Sequence, residues 1–173
     1  IADHASTRAS AASCEGRGRL TAQQDDDGGV TEPGWVQHAV WWQVYPLGFV
    51  GAEATRLPVE AGTKHRLPAI TPWLDYLQEL GASGLLLGPI FESGTHGYDT
   101  VDFLRVDRRL GDPDDFAALV TRAHERGIRI MLDGVFNHIG RNSARYREAE
   151  ADTRSPYRAW FDFSDKYPGG VRA

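Results

Sequence analysis

Two short runs hold most of the side chains able to do chemistry. His96-Gly97-Tyr98-Asp99-Thr100-Val101-Asp102-Phe103 sets an imidazole, a phenol and a carboxylate within four positions. Asp133-Gly134-Val135-Phe136-Asn137-His138 adds a carboxylate, an amide and a second imidazole. Brought together, they offer an aromatic face (Tyr98), two carboxylates (Asp99, Asp133) and planar hydrogen-bonding groups (His96, Asn137, His138). Such a set suits a sugar, whose C–H face stacks on a ring and whose hydroxyls need several partners. Each residue alone has a plainer reading. Asp133 can cap a turn, and Asn137 and His138 can satisfy loop backbone. Tyr98 can be core, although Gly97 beside it favours a tight surface turn.

The elements that must position these runs are regular. Ala39–Tyr45 is β-branched and aromatic and stops at Pro46, which predicts a strand. Thr71 and Pro72 predict a helix start, Trp73, Leu74, Leu77 and Leu80 its apolar positions, and Gly81 its stop. Leu85–Phe91 is apolar on both faces, as a buried parallel strand is. Asp112 and Pro113 open a second helix, Phe116, Leu119, Val120 and Ala123 form its stripe, and Gly127 ends it. A third strand, Ile128–Val135, follows. This is two successive βαβ units, so the fold class is α/β with a parallel sheet. The helix-to-strand connections are short, whereas the strand-to-helix connections run to about 25 and about 20 residues, a length uncommon without function. They leave the C-terminal strand ends, where α/β barrels and open sheets build their sites. Neighbouring strands lie about 5 Å apart, so both runs are expected at one mouth. Trp41 and Trp42 read as core, and Asp107, Arg108, Arg109 and Asp112 as a solvated or capping charge run.

Composition narrows the classes. The 173 residues carry 19 Lys+Arg against 24 Asp+Glu, which gives no basic face for nucleic acid. No run of 18 apolar residues exists to cross a membrane, and neither common nucleotide-binding glycine motif occurs. Residues 1–34 contain no aromatic residue and set three arginines against six acids, so they are expected to be a disordered tail. All 18 aromatic residues fall within 35–173. Cys14, the only cysteine, cannot form an internal disulfide. No secretory apolar region is visible near the start, which predicts a cytoplasmic protein.

In this order the segments resemble the alpha-amylase family of glycoside hydrolases. Asp133-Gly134-Val135-Phe136-Asn137-His138 is similar to the family signature at the end of barrel strand three, and His96-Gly97-Tyr98-Asp99-Thr100 to its Gly-Tyr-Asp element after strand two. Arg105-Val106-Asp107 through Gly111-Asp112 resembles the approach to helix two, and Val40-Trp41-Trp42-Gln43-Val44-Tyr45-Pro46 the first strand. The form His-Gly-Tyr-Asp-Thr leans toward the maltodextrin-cleaving, neopullulanase-like branch. The resemblance implies a (β/α)8 TIM-type barrel, of which residues 35–138 form the first part, with the inserted domain beginning in 139–173. It implies that Tyr98 stacks beneath a sugar, that His138 donates to its primary hydroxyl, and that Asp133 steadies the site through an arginine from strand four. Asn137 corresponds to a residue that in many members ligates structural calcium, a hard cation favouring oxygen. Thr95 stands where some branches place a sugar-reading Asp. The implied partner is an alpha-glucan or maltodextrin.

A full barrel takes about 250 residues. The family's nucleophilic Asp and acid/base Glu lie on strands four and five, so no catalytic residue is expected in this chain and both are expected beyond Ala173. Two other readings stand beside this one. The chain is a complete small enzyme using Asp99 and Asp133 as its carboxylate pair, or a non-catalytic carbohydrate-binding protein on an amylase-like scaffold.

Overall fold

The computed structural model describes residues 32–164 and 171–172. The expected tail lies outside them apart from its last three positions, as does Cys14. Every element below belongs to one compact unit, Pro33–Ala173.

Strand β1 (Trp41–Val44) runs into a single helical turn, α1 (Pro46–Phe49), begun by the proline that ends the strand. Helix α2 (Trp73–Glu79) leads to β2 (Gly84–Leu87). After β2 come a short antiparallel pair, β3 (Phe91–Ser93) and β4 (Thr100–Val106), then α3 (Pro113–Glu125) and β5 (Arg129–Leu132). Strands β1, β2 and β5 form a parallel sheet in the order β1-β2-β5. Its register aligns Val44, Leu87 and Leu132. Tyr45, Gly88 and Asp133 therefore leave the sheet side by side at its C-terminal edge. Two backbone bonds continue the ladder there, Gly88 N to Val44 O (2.8 Å) and Asp133 N to Leu87 O (2.9 Å).

The core sits between this sheet and its helices. Leu74 and Leu77 of α2, Leu119 and Ala123 of α3, Leu85 and Leu87 of β2, and Leu67 and Ile70 of the intervening 3-10 turn are all buried. Fully burying one such aliphatic side chain contributes about 1.5–3 kcal/mol. Helix α3 starts as its sequence dictates: Asp112 accepts from the Asp114 and Asp115 amides, and Asp115 closes a reciprocal box onto the Asp112 amide. Gly81 and Gly127 take positive φ just past the helix ends, which a residue with a Cβ rarely adopts.

Four expectations need correction. The apolar run Leu85–Phe91 is not one strand: β2 stops at Leu87, Gly88 and Pro89 break it, and Phe91 starts the hairpin. The long connection after it is folded rather than structureless, because the alternating Thr100–Val106 segment pairs with β3. Thr71 does not cap α2. It closes the 3-10 turn Leu67–Ile70, and α2 begins two residues later with no side-chain cap. Trp41 and Trp42 are only half-buried. Trp41 lies across Gly84, where a Cβ would stand 2.3 Å from the indole, and Trp42 packs against Phe49, Trp73 and Tyr76.

Beyond β5, helix α4 (Ala144–Ala151) and the antiparallel pair β6 (Asp162–Phe163) and β7 (Val171–Arg172) follow. They build a second small cluster from Tyr146, Ala149 and Phe161.

Candidate active site

The two runs meet. The Nε2 of His138 lies 2.7 Å from the carbonyl oxygen of Tyr98. A carbonyl only accepts, so Nε2 carries the hydrogen, and a neutral ring then leaves Nδ1 as an acceptor. The Tyr98 amide donates in turn to Nδ1 of His96 (3.2 Å), and Tyr45 Oη donates to the His96 carbonyl (3.1 Å). Burial and then the nearby Asp133 carboxylate push the Tyr98 phenol above its ordinary range and keep it neutral. Tyr98, Asp133 and His138 thus stand together at the sheet's C-terminal edge. Tyr98 and His138 are open to solvent, and Asp133 is half-buried. Tyr45 was not among the residues singled out from the sequence. Its place at the last position before Pro46, on the same edge as Asp133, was the available signal.

Asp99 plays a different part. Its Oδ1 accepts from the Thr95 amide and its Oδ2 from Thr95 Oγ1, each at 3.0 Å. It closes the turn that carries Tyr98, with both oxygens engaged. Asn137 is exposed and lines a cavity of 170 Å³ with Phe103, Phe136, His138, Ile139, Trp160 and Phe161.

The charge run beneath the turn is the largest departure from expectation. Asp107 and Arg109 are fully buried and Arg108 nearly so, because β4 carries them under the loop rather than out to solvent. Asp107 is bonded by Arg109 and Ser93. Burial alone would raise its carboxyl, but the Arg109 bonds outweigh that and hold it below the ordinary carboxylate range. Glu92 is bonded by Arg56 (2.6 Å) and Arg108 (3.1 Å). Arg66 grips both oxygens of Glu53 and lowers that carboxyl to about 2. Asp112 alone of the run behaves as read from the sequence, as a cap.

Calcium finds little support in the donors present. It takes six to eight oxygen ligands, and Asn137 offers one amide oxygen. Among the described residues, the only gathering of three or more carboxylate, imidazole or thiol groups is His65, Asp112 and Asp115. There the carboxylates cap α3, and His65 Nδ1 lies 2.6 Å from Asp115. A cavity of 490 Å³ between Val59–Thr63, the hairpin and the start of α3 holds Glu92 and Asp112 against Arg105 and Arg108. Its charges balance and none of the sugar-suited groups faces it, so chemistry rather than volume locates the candidate site. Among the described residues no helix is long and apolar enough to cross a membrane.

Known proteins are similar to this chain in sequence and fold. The family profile described as alpha amylase, catalytic domain, matches residues 43–170. The intracellular maltogenic amylase of Bacillus subtilis is 39% identical over 143 residues, covering 75% of this chain and 24% of that protein. Neopullulanase 2 of Thermoactinomyces vulgaris is 36% identical over 150 residues, covering 78% and 26%. The solved structure of the cyclic alpha-maltosyl-(1→6)-maltose hydrolase from Arthrobacter globiformis superposes with a TM-score of 0.64 at 33% identity, covering 78% of this chain and 34% of that one. The chain spans about a quarter of the length of the curated relatives it matches. Its parallel β1-β2-β5 sheet with covering helices is part of an α/β barrel, and the chain belongs to the alpha-amylase family of glycoside hydrolases.

Proposed function

We propose that the protein carrying this chain is a retaining alpha-glucan hydrolase or transglycosylase, and that this chain supplies the sugar-holding side of its site. The observation that supports this best is the meeting of Tyr98, Asp133 and His138 at the C-terminal edge of the sheet. Tyr98 offers its ring to the apolar face of a glucosyl unit. Because Nε2 of His138 is engaged by Tyr98, the neutral imidazole accepts from the sugar's primary hydroxyl through Nδ1, the reverse of the donation expected from resemblance. Asp133 adds negative charge beside a transition state that becomes oxocarbenium-like, and steadies the site through an arginine outside this chain. Retention needs a nucleophilic and a protonated carboxyl about 5–5.5 Å apart. Asp99 spends both oxygens on Thr95, so it is a poor nucleophile, and we place that pair outside the 173 residues. Residues 35–138 are the first part of the barrel and 139–173 the start of an inserted domain. Structural calcium would require oxygen donors beyond Asn137, and no step depends on it. The intracellular relative in Bacillus subtilis favours a cytoplasmic setting.

The test is turnover of maltodextrin and an aryl α-glucoside. The protein carrying this chain releases the α-anomer first, and the 173-residue chain alone is inactive. Turnover by the chain alone that Asp99→Asn or Asp133→Asn abolishes would overturn this reading.

A further inference from the structure

We infer that Arg109, locked by Asp107, is the positioning residue that sets Tyr98 in the sugar site. This rests on the function proposed above and concerns a residue that never touches the sugar. The guanidinium has five N–H donors, and all five are spent. Its Nε donates to Asp107 Oδ1 (2.9 Å). Nη2 donates to Asp107 Oδ2 (2.6 Å) and Ser93 Oγ (2.7 Å). Nη1 donates to the Thr95 carbonyl (2.6 Å) and the Glu53 carbonyl (3.0 Å). Asp107 in turn accepts from the amides of Ser93 (3.1 Å) and Arg109 (3.0 Å). The pair therefore ties the end of β3, the first residue of the Tyr98 turn and the loop before α2 to one rigid point.

From that point the path to the ring is short. Thr95 is fixed by Arg109 at its carbonyl and by Asp99 at its amide and hydroxyl. Asp99 follows Tyr98 directly, so the five-residue turn 95–99 is closed with Tyr98 inside it. On the other side His138 holds the Tyr98 carbonyl. A purely structural ion pair would not need this geometry. Two of the five bonds go to the backbone carbonyls of Thr95 and Glu53, on segments also joined by the Arg56 N to Gly94 O bond (2.8 Å); a planar fork reaches both carbonyls and Asp107 at once, and a single ammonium cannot. Arg109→Lys keeps the charge opposite Asp107 but loses the fork.

The experiment compares Arg109→Lys and the milder Ser93→Ala with the parent protein, in the full enzyme that carries this chain. Two readouts are taken, amide exchange by mass spectrometry and kcat and KM on maltodextrin. Leu119→Ala, a core change in α3, serves as a control for general loss of stability. Expected in both variants is faster exchange confined to residues 93–100 and the loop around Glu53, at least ten-fold in 94–100 for Arg109→Lys, with α3 and β5 unchanged. KM rises and kcat falls, and the Arg109→Lys loss is less than multiplicative when combined with Tyr98→Ala. Leu119→Ala speeds exchange throughout and leaves kcat per folded molecule unchanged. Uniform exchange in Arg109→Lys and Ser93→Ala, or a fully multiplicative double variant, would overturn the inference. If the parent enzyme acts on no alpha-glucan, the exchange result still decides the positioning role, and only the proposed function fails.

Discussion

Gly140, two residues past His138, lies against the backbone that follows Tyr98. Its amide donates to the Thr100 carbonyl at 2.6 Å, and a Cβ on Gly140 would stand 2.4 Å from the Asp99 carbonyl oxygen and 3.1 Å from its carbon. Both are backbone atoms that no rotamer change can move. The overlap is more than about 1 Å inside the ~3.5–4.0 Å optimum for nonbonded atoms. Gly140→Ala must therefore push the Asp99–Thr100 backbone away and stretch the hydrogen bond beside it. Overpacking of this kind costs about 1–3 kcal/mol. At about 2–4 °C per kcal/mol for a domain near this size, the melting temperature should fall by about 2–12 °C. Gly34→Ala is the control, since a Cβ there meets nothing within 4 Å. Because the displaced backbone follows Tyr98 directly, Gly140→Ala should also weaken binding of a maltooligosaccharide while Gly34→Ala does not. Thermal melts and calorimetry on the same preparations read both effects. An unchanged melt for Gly140→Ala would mean that this contact is not as close as described, and the junction between the two runs would lose its support.

Three further outcomes follow from individual bonds. Neutral Tyr98 contributes stability that is present below the ordinary phenol range and lost as pH rises through its raised value; Asp133→Asn should lower that value part of the way, since burial remains, and tyrosinate absorbance against Tyr98→Phe measures it. An unmoved titration would show that Asp133 does not act on the Tyr98 hydroxyl. The hydrogen bond to Asp115 raises His65, so the stability it adds is complete below the ordinary histidine value of about 6.5 and disappears as pH rises through the raised one. Exchange at the Lys64 and Arg66 amides, which bond Arg108 and Leu110, should accelerate over that window beyond the intrinsic rate, and His65→Ala should erase the excess. Asp112→Ala removes the acceptor of two amide bonds at the start of α3, with an expected cost of about 0.5–2 kcal/mol in a chemical melt; no loss would refute the cap.

Local signals in the sequence were readable wherever one short segment decides the outcome. Asp112-Pro113 starts α3, Gly81 and Gly127 end their helices, and the alternation of strand and helix gives the parallel order β1-β2-β5. The hairpin was hidden because Phe91 extends the apolar run of β2, and only the Gly88-Pro89 break separates them. Asp107-Arg108-Arg109 reads the same on a surface as under a loop, since burial of a charge depends on partners contributed from positions 53, 92, 93 and 95. The meeting of Tyr98 with His138 was legible in outline from strand order. Its atomic form was not, because the partner of Nε2 is a backbone carbonyl 40 positions away.

The central claim, that Tyr98, Asp133 and His138 form the sugar-holding side of an alpha-glucan site, is met most directly by kinetics of His138→Ala in the full enzyme. If the imidazole contact strengthens as the ring flattens toward the transition state, its loss reduces the chemical rate more than binding. The predicted result is a kcat on maltodextrin lower by about ten- to a thousand-fold, or roughly 1.4–4 kcal/mol, with the melting temperature preserved. An unchanged kcat accompanied by a lower melting temperature would make His138 a loop fastener through its Tyr98 bond, and would contradict the account.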